Sequence, residues 1–346
     1  MVLWNVETTN YGRVNMTFKY RNVFIEESST VAGPYEAKGP LKKFFDKTFD
    51  NLYNGEKSWE TAEAKVLEDS IKILLDKTKR KKEEIDVIIA GDLMNQITPS
   101  CYSSEKFNFP FLGIYSACAT SIEGIILGSS MIDGGKVNTA IAATSSHNMS
   151  SEKQFRNPTE YGAPKPKTAT FTATGGASIL LSNENSGIKV ESSTIGRIVD
   201  YYQTDPLHMG AVMAPAAADT IYRHLTDMKR TPDYYDLILT GDLGTYGKEI
   251  LVDFMKTEYN LDISSNYNDC GVMLYDLETQ KEVLAGGSGP VCSALVNYSL
   301  ILDLLRKKKL KKVLLVATGA LFSPTMVYQH ENILSIAHAV SLEVIK

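Results

Sequence analysis

DVIIAGDL at residues 86–93 returns 150 positions later as DLILTGDL at residues 236–243. Both octets read D-x-I-x-x-G-D-L. Each places a short apolar run ahead of a Gly-Asp turn, the pattern of a strand buried on both faces of a parallel sheet. A second repeat keeps the same order. The stretch from Cys118 to Thr144 matches that from Cys292 to Thr318 without a gap, at an offset of 174. Both copies run helix, turn, strand. The 24 additional positions fall between Gly247 and Cys270, where the second copy has a longer connection. Two matches in one order indicate duplication. The chain divides into an N-terminal half, 1–184, and a C-terminal half, 185–346, each rich in βαβ units and each burying a helix layer at a shared centre. That centre brings together the N-termini of two helices, opened by Cys118 and by Cys292. A thiol at such a terminus has its thiolate favoured by the macrodipole.

The remaining segments extend this pattern. Residues 22–26 (NVFIE) alternate as an opening strand. Residues 33–55 read as a long, partly helical excursion outside the core layers. A helix over 58–77 carries Val66, Leu67, Ile71 and Leu74 at helical spacing, with Ser58 and Thr61 as its N-cap signal. The spacing predicts helices at 122–132, 215–228 and 291–305. Strands are expected at 137–143, 237–240, 313–317 and 333–344, with β-branched alternation over 168–182 and 187–199. Strands alternating with helices imply parallel sheets covered by helices. The basic run 306–312 reads first as a solvated helix end complementing the dipole, and second as a membrane or partner patch.

Composition narrows the function classes. Of 346 residues 43% are apolar and 22% charged, which is ordinary for a globular protein with a large core. A net charge of −5 argues against a dedicated nucleic-acid binder. No apolar run reaches the length of a spanning helix, and residues 1–10 show no signal-peptide pattern. Cys101, Cys118, Cys270 and Cys292 form no CxxC pair, which suits reduced thiols better than a metal or disulfide framework. His208 and His224 show no zinc spacing. Neither a metal nor a cofactor is expected.

Two duplicated halves, with a cysteine opening a central helix in YSACATS (115–121), resemble the thiolase and ketoacyl synthase superfamily. SSHNMS (145–150) is similar to the loop that follows the next strand in thiolases. The resemblance implies an α/β fold of two βαβαβ halves, layered α-β-α-β-α around two mixed, mostly parallel sheets. It also implies a homodimer formed through the strand after the nucleophile helix, at 137–143. Longer runs, among them GPYEAKGPLKKFFD (33–46), MGAVMAPAAADTIYRHL (209–225), AGGSGPVCSA (285–294) and VATGALFSP (316–324), resemble one branch, the stage V sporulation protein AD family of spore-forming bacteria. That resemblance implies dipicolinic acid as a ligand, with calcium arriving only as part of it. It implies other proteins of the stage V sporulation A complex as partners, and a peripheral place at the spore inner membrane, held there through those partners.

In the condensing enzymes a cysteine nucleophile works with histidine and asparagine partners that activate the thiol and bind the oxyanion. Cys118 matches the nucleophile. Where thiolases have Gly-His-Pro, this chain has Gly287-Ser288-Gly289, and Ser288 is no general base near neutral pH. After the second-half strand stands Thr240-Gly241-Asp242, and the terminal glycine motif, Ala317-Thr318-Gly319-Ala320, has no thiol. His147 follows the strand beside the Cys118 helix; it reads first as a loop histidine hydrogen-bonded to backbone, and second as a group that could supply a base. His338 reads as a structural residue on a strand.

The expected site is therefore a ligand crevice between the halves. Cys118, Thr120, Ser121, His147, Ser288 and Cys292 contribute hydroxyls, thiols and helix N-terminal amides to it. Lys153, Arg156, Lys165 and Lys167 could bring positive charge, and Tyr115 and Phe171 could stack on an aromatic ligand. Three readings stay open: a non-catalytic dipicolinate-binding component of a transport complex, a condensing enzyme acting through Cys118, and a structural scaffold at the spore membrane.

Overall fold

The computed structural model describes residues 16–155 and 164–345, so the stretch 1–10 and Arg156 lie outside it. The first half runs β1 (Thr17–Lys19), β2 (Phe24–Ala32), β3 (Lys47–Thr48), α1 (Trp59–Thr78), β4 (Val87–Gly91), α2 (Thr98–Glu105), β5 (Phe111–Gly113), α3 (Thr120–Asp133), β6 (Thr139–Ser146), α4 (Asn148–Phe155), β7 (Phe171–Thr172) and β8 (Gly175–Ser182). The second half runs β9 (Ile188–Thr194), α5 (Met209–Met228), β10 (Leu237–Thr240), α6 (Gly244–Tyr259), β11 (Tyr267–Asp269), α7 (Cys270–Met273), β12 (Gly287–Ser288), α8 (Pro290–Val296), α9 (Leu302–Arg306), β13 (Lys312–Leu321), α10 (Pro324–Tyr328) and β14 (Leu334–Val344). One π turn, Asn297–Ile301, makes α8 and α9 a single helical rod.

The duplication is visible in the strand order. The halves contribute β5-β4-β6-β8-β2 and β11-β10-β13-β14-β9. In both, the first three strands are parallel and the last two pairings antiparallel. The two sheets meet edge to edge where β2 pairs with β9 at Phe24 and Lys189, and β1 of the first half pairs antiparallel with β9 beside it, from Thr17 with Thr194 to Lys19 with Ser192. The bond from Val190 N–H to the Val23 carbonyl, 2.9 Å, lies beside it. Parallel strands buried on both faces need apolar cover on each side, and the helices supply it. At the centre, Ile122 and Ile125 of α3 pack with Val291, Leu295 and Leu302 of the α8–α9 rod. The outer layers are α1, with Leu67, Ile71 and Leu74 against Ile88 and Ile141, and α5, with Val212 and Ile221 against Ile238 and Leu314. The result is the five-layer α-β-α-β-α arrangement.

Local signals explain several boundaries. Ser58 and Thr61 form a reciprocal capping box at the start of α1. Part of the additional length of the second half lies in α6, which has 16 residues where α2 has 8, and most of it follows β11, in the stretch 270–289 that carries α7 and β12. Two expectations need correction. The helix expected from Pro215 begins at Met209, with Pro215 inside it. Burial of Val212, Met213 and Ala214 carries the helix past the missing N–H. The strand expected at a dimer surface, 137–143, is β6, which is paired on one edge with β4 and on the other with β8. It has no free edge to offer a second copy; the open ends of the sheet path are β5 and β11. Among the described residues no helix is long and apolar enough to cross a membrane.

Candidate ligand pocket at Cys118

Cys118 sits on a tight turn between β5 and α3. Ala117 takes left-handed φ of 48°, an uncommon state for a residue with a side chain. The turn is held by Ala119 N–H to the Ser116 carbonyl at 3.0 Å, and by Thr120 Oγ1, which accepts from Ser116 N–H at 3.0 Å and donates to the Ala117 carbonyl at 2.7 Å. Gly319 of β13 lies against this turn. A Cβ there would stand 2.5 Å from the Ser116 carbonyl oxygen, so only glycine allows the close approach. His338 of β14 completes the support. Its Nδ1 accepts from Gly196 N–H at 3.1 Å, leaving Nε2–H to donate to Ser116 Oγ at 3.2 Å. The turn aims the Cys118 thiol into a pocket between the halves.

Cys118, Thr172 and Ser288 line the floor of that pocket, Met209 and Met213 a wall, and Tyr115, Phe155 and Phe322 the mouth. The Phe155 and Phe322 rings face each other at 5.8 Å, tilted by 53°. The inner space is about 70 Å³, room for a few waters. It opens through Leu93, Tyr115, Phe155 and Phe322 into a vestibule of about 760 Å³. Both halves build the floor. β12 pairs in parallel with β7, Ser288 beside Thr172, and this pins the glycine turn 286–289 of the second half to the first.

The electrostatics of the floor are set by Asp242. This carboxylate is buried and accepts three hydrogen bonds: from Ser288 Oγ at 3.0 Å, from Gly289 N–H at 3.1 Å and from Thr318 Oγ1 at 2.7 Å. Burial raises its pKa, and the three donors and the Cys118 thiol pull the other way. Ser288 Oγ in turn lies 4.0 Å from Cys118 Sγ. The Cys118 thiol is pushed well above its ordinary range, first by burial and then by the Asp242 charge beside it. The expected thiolate preference is therefore reversed. α3 begins at Thr120, after the cysteine, and the carboxylate opposes the helix dipole at shorter range. Cys118 is held as a neutral thiol.

Of the residues proposed from sequence, Cys118 and Ser288 line the pocket and four do not. Thr120 is spent on the turn. Ser121 Oγ meets Ser293 Oγ at 2.8 Å across the interface of the halves. Cys292 is fully buried beneath Gly287, its Sγ directed at the Gly241 carbonyl at 3.6 Å. His147 is no partner of Cys118. Its Nδ1 accepts from Met149 N–H at 3.2 Å at the start of α4, and its Nε2–H donates to the Leu52 carbonyl at 2.7 Å. Burial drops its pKa to about 4, so the ring is neutral and fully engaged.

The candidate cations are also placed elsewhere. Lys153 pairs with Glu60 at 2.7 Å, and Lys167 is exposed. Lys165 reaches Glu152, a lining residue, at 2.9 Å. Phe171 packs with Tyr35 and Tyr275 away from the pocket, whereas Tyr115 does line it. No lysine or arginine is among the described lining residues. Sequence reading passed over Glu152, Phe155 and Phe322, and met Asp242 only as the residue that ends Thr240-Gly241-Asp242, without a role at the site. The repeated G-D-L was the available signal for Asp242. Its counterpart Asp92, also buried, accepts from Ser100 N–H and Oγ at 2.9 and 2.6 Å and from Met94 N–H at 2.8 Å, holding the vestibule loop.

The arrangement combines a crevice with an aromatic mouth, a hydroxyl and thiol floor, and a buried carboxylate beside the thiol. Comparison with known sequences agrees with the family resemblance. Residues 12–343 match the pattern of the stage V sporulation protein AD family. The chain belongs to this family. A family member from Bacillus subtilis (strain 168), stage V sporulation protein AD, is 47% identical over 321 residues, covering 93% of this chain and 94% of that protein. Solved structures place the chain on the thiolase fold. The 3-oxoacyl-[acyl-carrier-protein] synthase III of Aquifex aeolicus VF5 superposes with a TM-score of 0.57 at 10% identity, over 93% of this chain and 99% of that one. The human mitochondrial 3-ketoacyl-CoA thiolase, in complex with CoA, gives 0.56 at 13% identity, over 94% and 98%. At such identities the likeness speaks for the fold alone.

Proposed function

We propose that this member of the stage V sporulation protein AD family is a non-catalytic binding protein for dipicolinate, free or as its calcium chelate. It would serve a complex that moves the ligand across the spore inner membrane in sporulation and germination. One observation carries the reading: the pocket at Cys118 is formed, while Asp242 and Ser288 stand beside the thiol and no histidine is among the described lining residues. A carboxylate that raises the pKa of the thiol beside it works against nucleophilic catalysis. The same pocket suits a flat aromatic ligand, with Phe155 and Phe322 at the mouth and the hydroxyls of Thr172 and Ser288 at the floor.

Charge selects the form of the ligand. Glu152 and Asp242 both lie at the site, so a bare dianion meets two carboxylates. Calcium carried by the ligand offsets that repulsion, and Lys165 on Glu152 offsets part of it. The partners are the other proteins of the stage V sporulation A complex, and peripheral attachment to the membrane runs through them. A second copy joining through the sheet would add at β5 or β11.

Titration of the purified protein with dipicolinate, with and without calcium, tests the reading. Saturable binding is expected, weakened in Phe322→Ala and lost in Ser288→Trp, which fills the floor. No saturable binding in either condition removes the ligand assignment. Incubation with acetyl-CoA followed by intact-mass measurement tests the non-catalytic claim. A stable adduct that vanishes in Cys118→Ala would restore the condensing reading.

A further inference from the structure

A second concavity, of about 540 Å³, shares no lining residue with the Cys118 pocket or its vestibule. Its cations come from three separate stretches of chain. Lys43 belongs to the excursion after β2, Lys77 to the last turn of α1, and Arg306, Lys307 and Lys309 to the end of α9 and the turn that follows. Two carboxylates, Asp46 and Asp303, also line it. Both are already engaged. Asp46 accepts from Thr30 N–H at 2.9 Å and pairs with Lys77 at 3.0 Å, and Asp303 pairs with Lys307 at 2.8 Å. Arg306 is bound to Glu27.

Lys43 and Lys309 are left without an ion pair among the described residues, and both are exposed. Helix dipoles account for Lys77 and Arg306, which sit at the C-terminal ends of their helices. They do not account for Lys43, which belongs to neither helix. A chain of net charge −5 thus gathers five cations around one groove and leaves two unneutralised.

We propose that this groove is a second ligand site, for a phosphate-bearing anion. Lysines act as point-charge partners for phosphate oxygens, and several converging on one space supply the charge a phosphate needs without fixing a single geometry. The phosphate can come from a soluble polyphosphate-type anion or from the headgroup of an anionic phospholipid. The site does not depend on what the Cys118 pocket binds.

The test compares the wild-type chain with Lys43→Glu/Lys309→Glu. Calorimetric titration with pyrophosphate probes the soluble source. Co-sedimentation with phosphatidylglycerol vesicles, against phosphatidylcholine vesicles, probes the lipid source. Wild-type protein is expected to bind at least one probe saturably. The double charge reversal should weaken that binding roughly tenfold or more, and added salt should weaken it further. Pyrophosphate binding assigns a soluble ligand. Vesicle binding that pyrophosphate does not displace assigns a lipid surface. Should the double variant lower the melting temperature, Lys43→Gln/Lys309→Gln carries the same comparison. If neither probe binds wild type, or if both variants bind like wild type, the proposal is overturned.

Discussion

Replacing Asp242 by asparagine separates the two roles assigned to this carboxylate. The amide keeps the size of the side chain. Its oxygen can still accept from Ser288 Oγ and Gly289 N–H, and its NH₂ can donate to Thr318 Oγ1, so the three contacts at 3.0, 3.1 and 2.7 Å survive. The stability cost should be below about 1 kcal/mol. Asp242→Ala, by contrast, strands three donors, one of them the immovable Gly289 N–H, and should cost about 3–5 kcal/mol. What the amide removes is the charge. The carboxylate stands beside the Cys118 thiol, and the path through Ser288, with contacts of 3.0 and 4.0 Å, sets an upper bound of about 7 Å on its distance from the sulfur. A unit charge at that distance is worth ~2 kcal/mol at an effective dielectric of about 20, equivalent to roughly 1.5 pKa units or thirtyfold in thiolate population. The assay is the rate of iodoacetamide alkylation of Cys118 at pH 8, in a Cys101→Ser background because Cys101 is exposed while Cys270 and Cys292 are buried. Asp242→Asn should react about ten- to thirtyfold faster than its parent at an unchanged melting temperature. Equal rates would refute the argument that the carboxylate silences the thiol.

Other expectations follow from the same contacts. His147 has its pKa lowered by burial to about 4 from 6.5. The folded ring therefore stays neutral while the unfolded one takes up a proton. Its contribution is complete above about pH 6.5 and falls as pH drops toward 4, by ~3 kcal/mol. Denaturant titrations of His147→Asn should show a shallower loss over this window than wild type, and an identical slope would refute the assignment. Ser293→Ala leaves the buried Ser121 hydroxyl without its 2.8 Å partner and should cost ~1–2 kcal/mol; Ser121→Ala should cost less, because Ser293 Oγ still donates to the Pro290 carbonyl at 3.2 Å, and the double variant costs less than the sum of the two. Additive costs in this cycle would mean that the pair does not couple the halves. Gly319→Ala drives a methyl to 2.5 Å from the Ser116 carbonyl oxygen and should cost ~1–3 kcal/mol. It should also disturb the Cys118 turn, so that ligand binding falls at temperatures where circular dichroism still reports a folded chain; wild-type affinity would contradict this.

The fold was largely legible because duplication wrote it twice. The paired D-x-I-x-x-G-D-L octets mark β4 and β10 with the turns that follow them, and the Cys118 and Cys292 segments mark the central helices and β6 and β13. β1 was missed: at three residues it carries too little alternation to be seen, and it exists through its pairing with β9. The pocket was only partly legible. Cys118 and Ser288 lie on turns whose neighbours are fixed by local sequence. His147 is hydrogen-bonded to backbone at Leu52 and Met149, as the first reading of a loop histidine has it; its second reading, as a base, fails because spacing gives the strand but not the direction of the ring. Cys292 looked equivalent to Cys118 by repeat, yet Pro290 and Gly289 start its helix earlier and put the sulfur under the floor. Phe155 and Phe322 come from segments far apart in sequence, with nothing local to announce that they meet.

The seam at Phe24 and Lys189 has a mechanical consequence. The halves are stitched there by β2 with β9, beside it by β1 with β9, and at the pocket floor by β7 with β12, while the mouth and floor at Cys118 draw on both sides of the joint. Rocking one half against the other would strain these pairings and change the gap between Phe155 and Phe322. The width of that aperture is thus geared to the stiffness of the joint, and a partner that grips both halves could set the tightness of ligand retention without touching the ligand.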